Sequence, residues 1–181
     1  MRPSASCGPV AGQVLSCARF GFSYTVPFGW VDRTGDVQGD REETVEGQSS
    51  GRISHSEVLL AVFERPPNAP GNTINSTVLI AAESLANYPR LKTAADYFAP
   101  ISEVAEQRGF KAVDEPYAFP VGSKRLVRED FRAPRGKLTM YQASLATIER
   151  GYIVSFTVIA GSEDEIEDLI GRVSFGGKQQ P

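Results

Sequence analysis

Catalysis needs titratable or metal-binding side chains at short spacing, and this chain offers few. His55 is the only histidine. A lone imidazole can act as a general base or a metal ligand. Zinc, however, takes three or four Cys, His or carboxylate ligands, and no cysteine flanks His55. A Ser-His-Asp triad would also have to use His55, and no serine is read as the nucleophile of a Gly-x-Ser-x-Gly elbow. Carboxylates crowd the stretch from Asp32 to Arg52, where Asp32, Asp36, Asp40, Glu42, Glu43 and Glu46 stand among four glycines. Hard divalent cations bind such oxygens, but the spacing fits no EF-hand. With Gln48-Ser49-Ser50-Gly51 beside them, these residues read as a solvated, mobile loop. Arg125, Arg128 and Arg132 could hold an anion, although the interspersed Glu129 and Asp130 favour surface ion pairing. The aromatics between Phe20 and Trp30 could form a stacking platform, but only Arg19 and Arg33 accompany them. No catalytic, cofactor-binding or metal residue is assigned, no cofactor is expected, and no ligand-binding or partner-binding residue can be named.

Cys7 and Cys17 both precede the first patterned segment. The pair could close a small loop in an exported protein; the simpler expectation is a loose tail with two free thiols. Val14-Leu15-Ser16-Cys17 is similar to a bacterial lipobox with Cys17 as the lipidated residue, but Pro3, Gly8, Pro9, Gly12 and Gln13 make a poor apolar core for a leader. Location therefore stays open. Cytoplasm follows from the lack of a clear signal peptide, and envelope or periplasm from a degraded or mis-started leader. The 181 residues suffice for one domain. A net charge of −3 argues against nucleic acid as a partner, and no apolar run reaches the length of a membrane span.

The elements that would position any site are clearer. In Tyr152 to Ala160 the side chains Tyr152, Val154, Phe156 and Val158 alternate with Ile153, Ser155, Thr157 and Ile159. Apolar residues on both faces predict an interior strand covered on both sides. Leu138 to Ile148 is its partner across the turn Glu149-Arg150-Gly151. Ser162 as N-cap, Glu165 three residues later, and the stripe Ile166, Leu169, Ile170, Val173 predict a helix ended by Gly176 and Gly177. Phe20 to Val26 is a strand with one apolar face, stopped by Pro27 and Gly29. Glu57 to Phe63 and Thr77 to Ala82 form an antiparallel pair across a Pro/Asn/Gly loop. Thr93 and Asp96 cap a helix with the stripe Tyr97, Ile101, Val104, Ala105, which bends or restarts near Ala99 because of Pro100 and ends at Gly109. Ser123 to Arg132 is an exposed-face strand near an edge, Val127 and Phe131 inward, Lys124, Arg128, Asp130 and Arg132 outward. The sum is an α+β protein, a three-layer α/β/α sandwich with a central antiparallel sheet. Residues 1–17 are expected as a flexible tail or remnant leader, 18–176 as one domain, and 177–181 as a C-terminal tail.

The opening Tyr24-x-x-Pro27-x-Gly29-Trp30 resembles that of the PsbP/Mog1-like superfamily, which includes bacterial DcrB-like lipoproteins. The helix after Tyr88-Pro89 and the aromatic meander followed by Ser162 and its helix to Phe175 extend the resemblance over residues 18 to 176. It implies an α/β/α sandwich that acts by binding: members are accessory subunits of photosystem II, a partner of the small GTPase Ran, or envelope proteins. They share no catalytic motif, so no active-site residue carries over. The expectation is a non-catalytic binding or accessory protein, bacterial, with association with the cell envelope left open, whose partner is another protein and whose oligomeric state is open. The alternatives are a small-ligand carrier or enzyme with a pocket between sheet and helix, and a cytosolic interaction module.

Overall fold

The computed structural model describes residues 7–39 and 56–176. Its strands are β1 (Val14–Cys17), β2 (Phe22–Thr25), β3 (Val31–Asp32), β4 (Ser56–Phe63), β5 (Thr77–Ser84), β6 (Lys111–Ala112), β7 (Tyr117–Val121), β8 (Lys124–Arg135), β9 (Leu138–Glu149), β10 (Tyr152–Ala160) and β11 (Val173–Phe175). The helices are α1, described over 34–39, α2 (Phe98–Gln107) and α3 (Glu163–Ile170). An eight-stranded sheet runs β3-β4-β5-β10-β9-β8-β6, with β7 also paired to β8, and a three-stranded sheet runs β1-β2-β11. Every named pairing is antiparallel.

β10 is the interior strand its alternation requires, between β5 and β9. Arg150 and Gly151 both take positive φ, 49° and 80°, the backbone twist that lets a two-residue turn join strands of right-handed twist. Towards one face β10 sends Val154, Phe156 and Val158 into a core shared with Leu60, Ile80, Leu126, the small sheet (Leu15, Phe22, Tyr24, Phe175) and α3 (Ile166, Leu169, Ile170). Phe22 meets Phe156 edge to face, ring centres 5.2 Å apart. Towards the other face Ile153 and Ala146 meet Tyr97 and Phe98, while Phe131 and Ala133 meet Ala105. The fold is thus α+β, three layers about a central antiparallel sheet. One outer layer is helical; in the other, α3 shares the face with the three-stranded sheet.

Pro100 falls in the first turn of α2, where its missing N–H costs no helical bond. A separate 3-10 turn, Ala94–Tyr97, precedes it, and the Asp96 carboxylate accepts the N–H groups of Lys92 (3.0 Å) and Thr93 (2.9 Å). Gly109, at φ +86°, closes the helix. Val104, expected on the buried stripe, is instead exposed; Phe98, Ile101 and Ala105 carry the packing.

Four expectations are corrected. Residues 14–17 are not tail but β1, paired to β2 in register Val14–Thr25 to Cys17–Phe22, with Leu15 and Cys17 in the core. The cysteines are not free thiols: Cys7 and Cys17 are disulfide-bonded, so the sulfur a lipid would need is already used. α3 stops at Ile170, and Val173–Phe175 leaves it to pair with β2. The start of the acidic stretch is not a loop, since Asp32 ends β3 and α1 begins two residues on. α1 has a task there. Beyond the two-residue β3, the outer margin of β4 is closed by side chains, Thr34 Oγ1 accepting from Ala61 N–H (3.0 Å) and Gln38 Oε1 from Val58 N–H (2.6 Å).

Candidate interaction surface

Most residues weighed for chemistry are either committed elsewhere or beyond reach of description. His55, Asp40, Glu42, Glu43 and Glu46 lie outside the described residues, as do 177–181. So does Gly47-Gln48-Ser49-Ser50-Gly51, which has nucleophile-elbow spacing that a reading as linker passes over. Asp32 Oδ1 accepts from the N–H and hydroxyl of Thr34 (2.9 and 2.6 Å) and so caps α1. Asp36 stands 3.9 Å from Arg33. Among the described residues no three His, Cys, Asp or Glu are placed to hold a metal ion.

Arg128 and Arg132 of β8 are committed to carboxylates and are not available to an anion. Arg128, expected outward, is 4% exposed. It lies over the Phe119 ring at 4.8 Å and bonds both Asp130 (2.9 Å) and Glu167 of α3 (2.5 Å). Tyr117 donates to the same Asp130 (2.7 Å), and burial pushes its phenol up to about 12. This cluster ties β7, β8 and α3 together. Arg132 pairs with Glu163 (3.4 Å). The aromatics of β2 are core, not platform: Tyr24 is fully buried, donates to the Leu169 carbonyl (3.1 Å), and has its ionisation suppressed by burial. On the opposite face Glu129, 3% exposed, accepts from Ser102 of α2 (2.7 Å).

What remains open gathers at one end of the large sheet. There β4 leaves at Phe63, β5 enters at Thr77, and β8 turns into β9 at Arg135 and Leu138. The β4–β5 connection is firmly built. Asn75 exchanges two hydrogen bonds with the Arg65 backbone, at 3.0 and 2.9 Å. Ser76 donates to Glu165 of α3 (2.5 Å). The Arg65 guanidinium donates to Thr73 through both terminal nitrogens, Nη1 to the hydroxyl (3.0 Å) and Nη2 to the carbonyl (2.5 Å). Gly71 lies so close over this guanidinium that a Cβ would come within 2.6 Å of it. Between this loop and the β8–β9 hairpin runs an open groove of about 310 Å³, lined by Arg65, Pro67, Pro70, Ile74, Arg135 and Met140 among others.

The same end carries the Pro27-Phe28-Gly29-Trp30 turn, since β3 follows it and pairs Val31 with Phe63. The Trp30 N–H donates to the Pro27 carbonyl (3.3 Å), and Gly29 takes φ +79°. In this turn Phe28 stands out at 91% exposure. Sequence alternation marks Phe20, Phe22, Tyr24 and Val26 as inward but stops at Pro27, so it does not say which way Phe28 points; the turn geometry does.

The layers, strand order and helix placement define a PsbP/Mog1-like fold. The solution structure of cyanobacterial PsbP (CyanoP) from Synechocystis superposes with a TM-score of 0.53 at 15% identity, covering 93% of this chain and 95% of that one. A protein of unknown function from Pseudomonas aeruginosa is also similar (TM-score 0.42, 14% identity, 74% and 88% covered). So is LpqN of Mycobacterium tuberculosis, described as involved in cell envelope biogenesis (TM-score 0.41, 12% identity, 86% and 83% covered). No family model and no curated protein matches the chain. At such identities the likeness is one of fold. Among the described residues no helix is long and apolar enough to cross a membrane.

Proposed function

We propose that this chain is a non-catalytic binding protein of an oxidising compartment, and that it engages another protein through the loop end of its large sheet. The observation that carries the reading is Phe28. A phenylalanine side chain left in water forgoes about 2 kcal/mol of burial, yet here it stands outward in a hydrogen-bonded turn. Phenylalanine is among the aromatics enriched in protein interfaces. The open groove beside the β4–β5 loop adds area at the same end. The Cys7–Cys17 disulfide supports the compartment, because such bonds persist in the periplasm or outside the cell and are reduced in the cytosol.

Cross-linking and affinity capture from the native envelope fraction test the reading, with Phe28→Ser as the control. A partner retained by the wild type and lost at least tenfold in the variant is the expected result. Equal capture by both proteins, or partnerless wild type, overturns it. Mass spectrometry of the thiol-blocked native protein checks the compartment: Cys7 and Cys17 should resist alkylation until reduced.

A further inference from the structure

The groove differs in charge from the chain that carries it. Its lining includes two cations, Arg65 and Arg135, and no carboxylate, in a protein of net charge −3. Arg65 is fixed rather than mobile, one donor from each terminal nitrogen being spent on Thr73. A guanidinium has five N–H donors, so two terminal hydrogens remain, and Nε is buried without any acceptor. Arg135, facing it from the hairpin, is exposed, and its side chain makes no ion pair or hydrogen bond among the described residues. Between the two cations the lining is mixed, with Pro67, Pro70 and Met140 beside the polar Thr73 and Asn75, and Ile74 is itself buried. A volume of about 310 Å³ sits at the lower bound of the ~300–1,000 Å³ usual for ligand sites, which suits a short stretch of chain.

We propose that this groove binds a short acidic segment of a partner protein, carboxylates on Arg65 and Arg135 and an apolar side chain between them against Met140 and the proline walls. This rests on the binding-protein reading above and names the chemistry of the partner. The unspent guanidinium fork of Arg135 can match a carboxylate two bonds at a time, while Arg65 offers single remaining hydrogens. The fixed Thr73–Arg65 pair means that half of the site loses little rotamer freedom on binding. The proline walls are equally rigid.

The test is titration of the isotopically labelled full chain with acetyl-Asp-Leu-Asp-Glu-amide, its Asn/Gln analogue, and inorganic phosphate, followed by amide chemical shifts. Expected are saturable shifts at Thr73, Ile74, Arg135 and Met140 with the acidic peptide alone. Arg135→Glu, at an exposed position that leaves the fold intact, should weaken binding at least tenfold, and 0.5 M salt should weaken wild-type binding too. Equal binding of the Asn/Gln analogue overturns the proposal, as does equal affinity for phosphate, which would make this a small-anion site. No saturation, or shifts elsewhere, also overturns it. A peptide failure with Phe28-dependent capture intact removes the acidic-segment proposal alone.

Discussion

Glu129 is a carboxylate buried where its charge is poorly served. Burial pushes its pKa up; the Ser102 hydroxyl bond pulls it back only in part, and Asp130 and Glu106 push it further up. The folded state therefore holds the proton more tightly than the unfolded chain. Its ionisation works against the fold, so stability should fall as pH rises through the raised pKa. Glu129→Gln should raise the urea midpoint at pH 7, and the gain should shrink as pH falls below the unfolded value of about 4.3, where the wild-type side chain becomes protonated in both states. A gain independent of pH would refute this. Arg128 shows where reading residues fails at this scale. Alternation with Lys124 and Arg132 puts it on the charged face of β8, and it does lie on that face. What alternation cannot show is that α3 covers the face and brings Glu167 in from 39 residues away. A guanidinium paired to two carboxylates and stacked on a ring can be buried; an ammonium at Lys124 pairs with Glu149 and stays nearer water.

At the scale of elements, local chemistry was mostly legible and handovers were not. Ser162 caps α3 by accepting the Glu165 N–H (3.2 Å), as the sequence implies, but the Glu165 side chain turns away to Ser76 instead of completing the box. Val173 satisfies two periods at once, third after Ile170 on a helix and second before Phe175 on a strand. The strand prevails because Gly171 ends the helix and Phe175 can reach Phe22 and Phe156, at 5.8 and 6.0 Å. Phe175→Ala should thus cost about 3 kcal/mol in chemical denaturation, the usual scale for a buried phenylalanine. Were 173–175 a frayed helix end, the loss would be only a few tenths.

For the molecule as a whole, the layer plan could be read because β10 is apolar on both faces, which a two-layer protein would not tolerate. The N-terminal strand could not. Four residues after a Gly/Pro-rich stretch give no period to detect, and the bond that fixes them depends on the compartment, not on pattern. Cys7 and Cys17 enclose a separation of 10 residues, and chain-entropy models assign a ring of this size about 2 to 3 kcal/mol. Cys7→Ser should lower the melting temperature by several degrees, and reductant should lower the wild type equally while leaving the variant unmoved. If reductant has no effect on the wild type, the ring contributes nothing.

The closing of β4 by the hydroxyl of Thr34 and the amide of Gln38 bears on how these molecules behave in a crowd. A neighbour that tried to extend the sheet there would find the backbone hydrogens already spoken for, and by groups too short to be stretched into a further strand. Growth into ribbons is opposed at that border by two side chains.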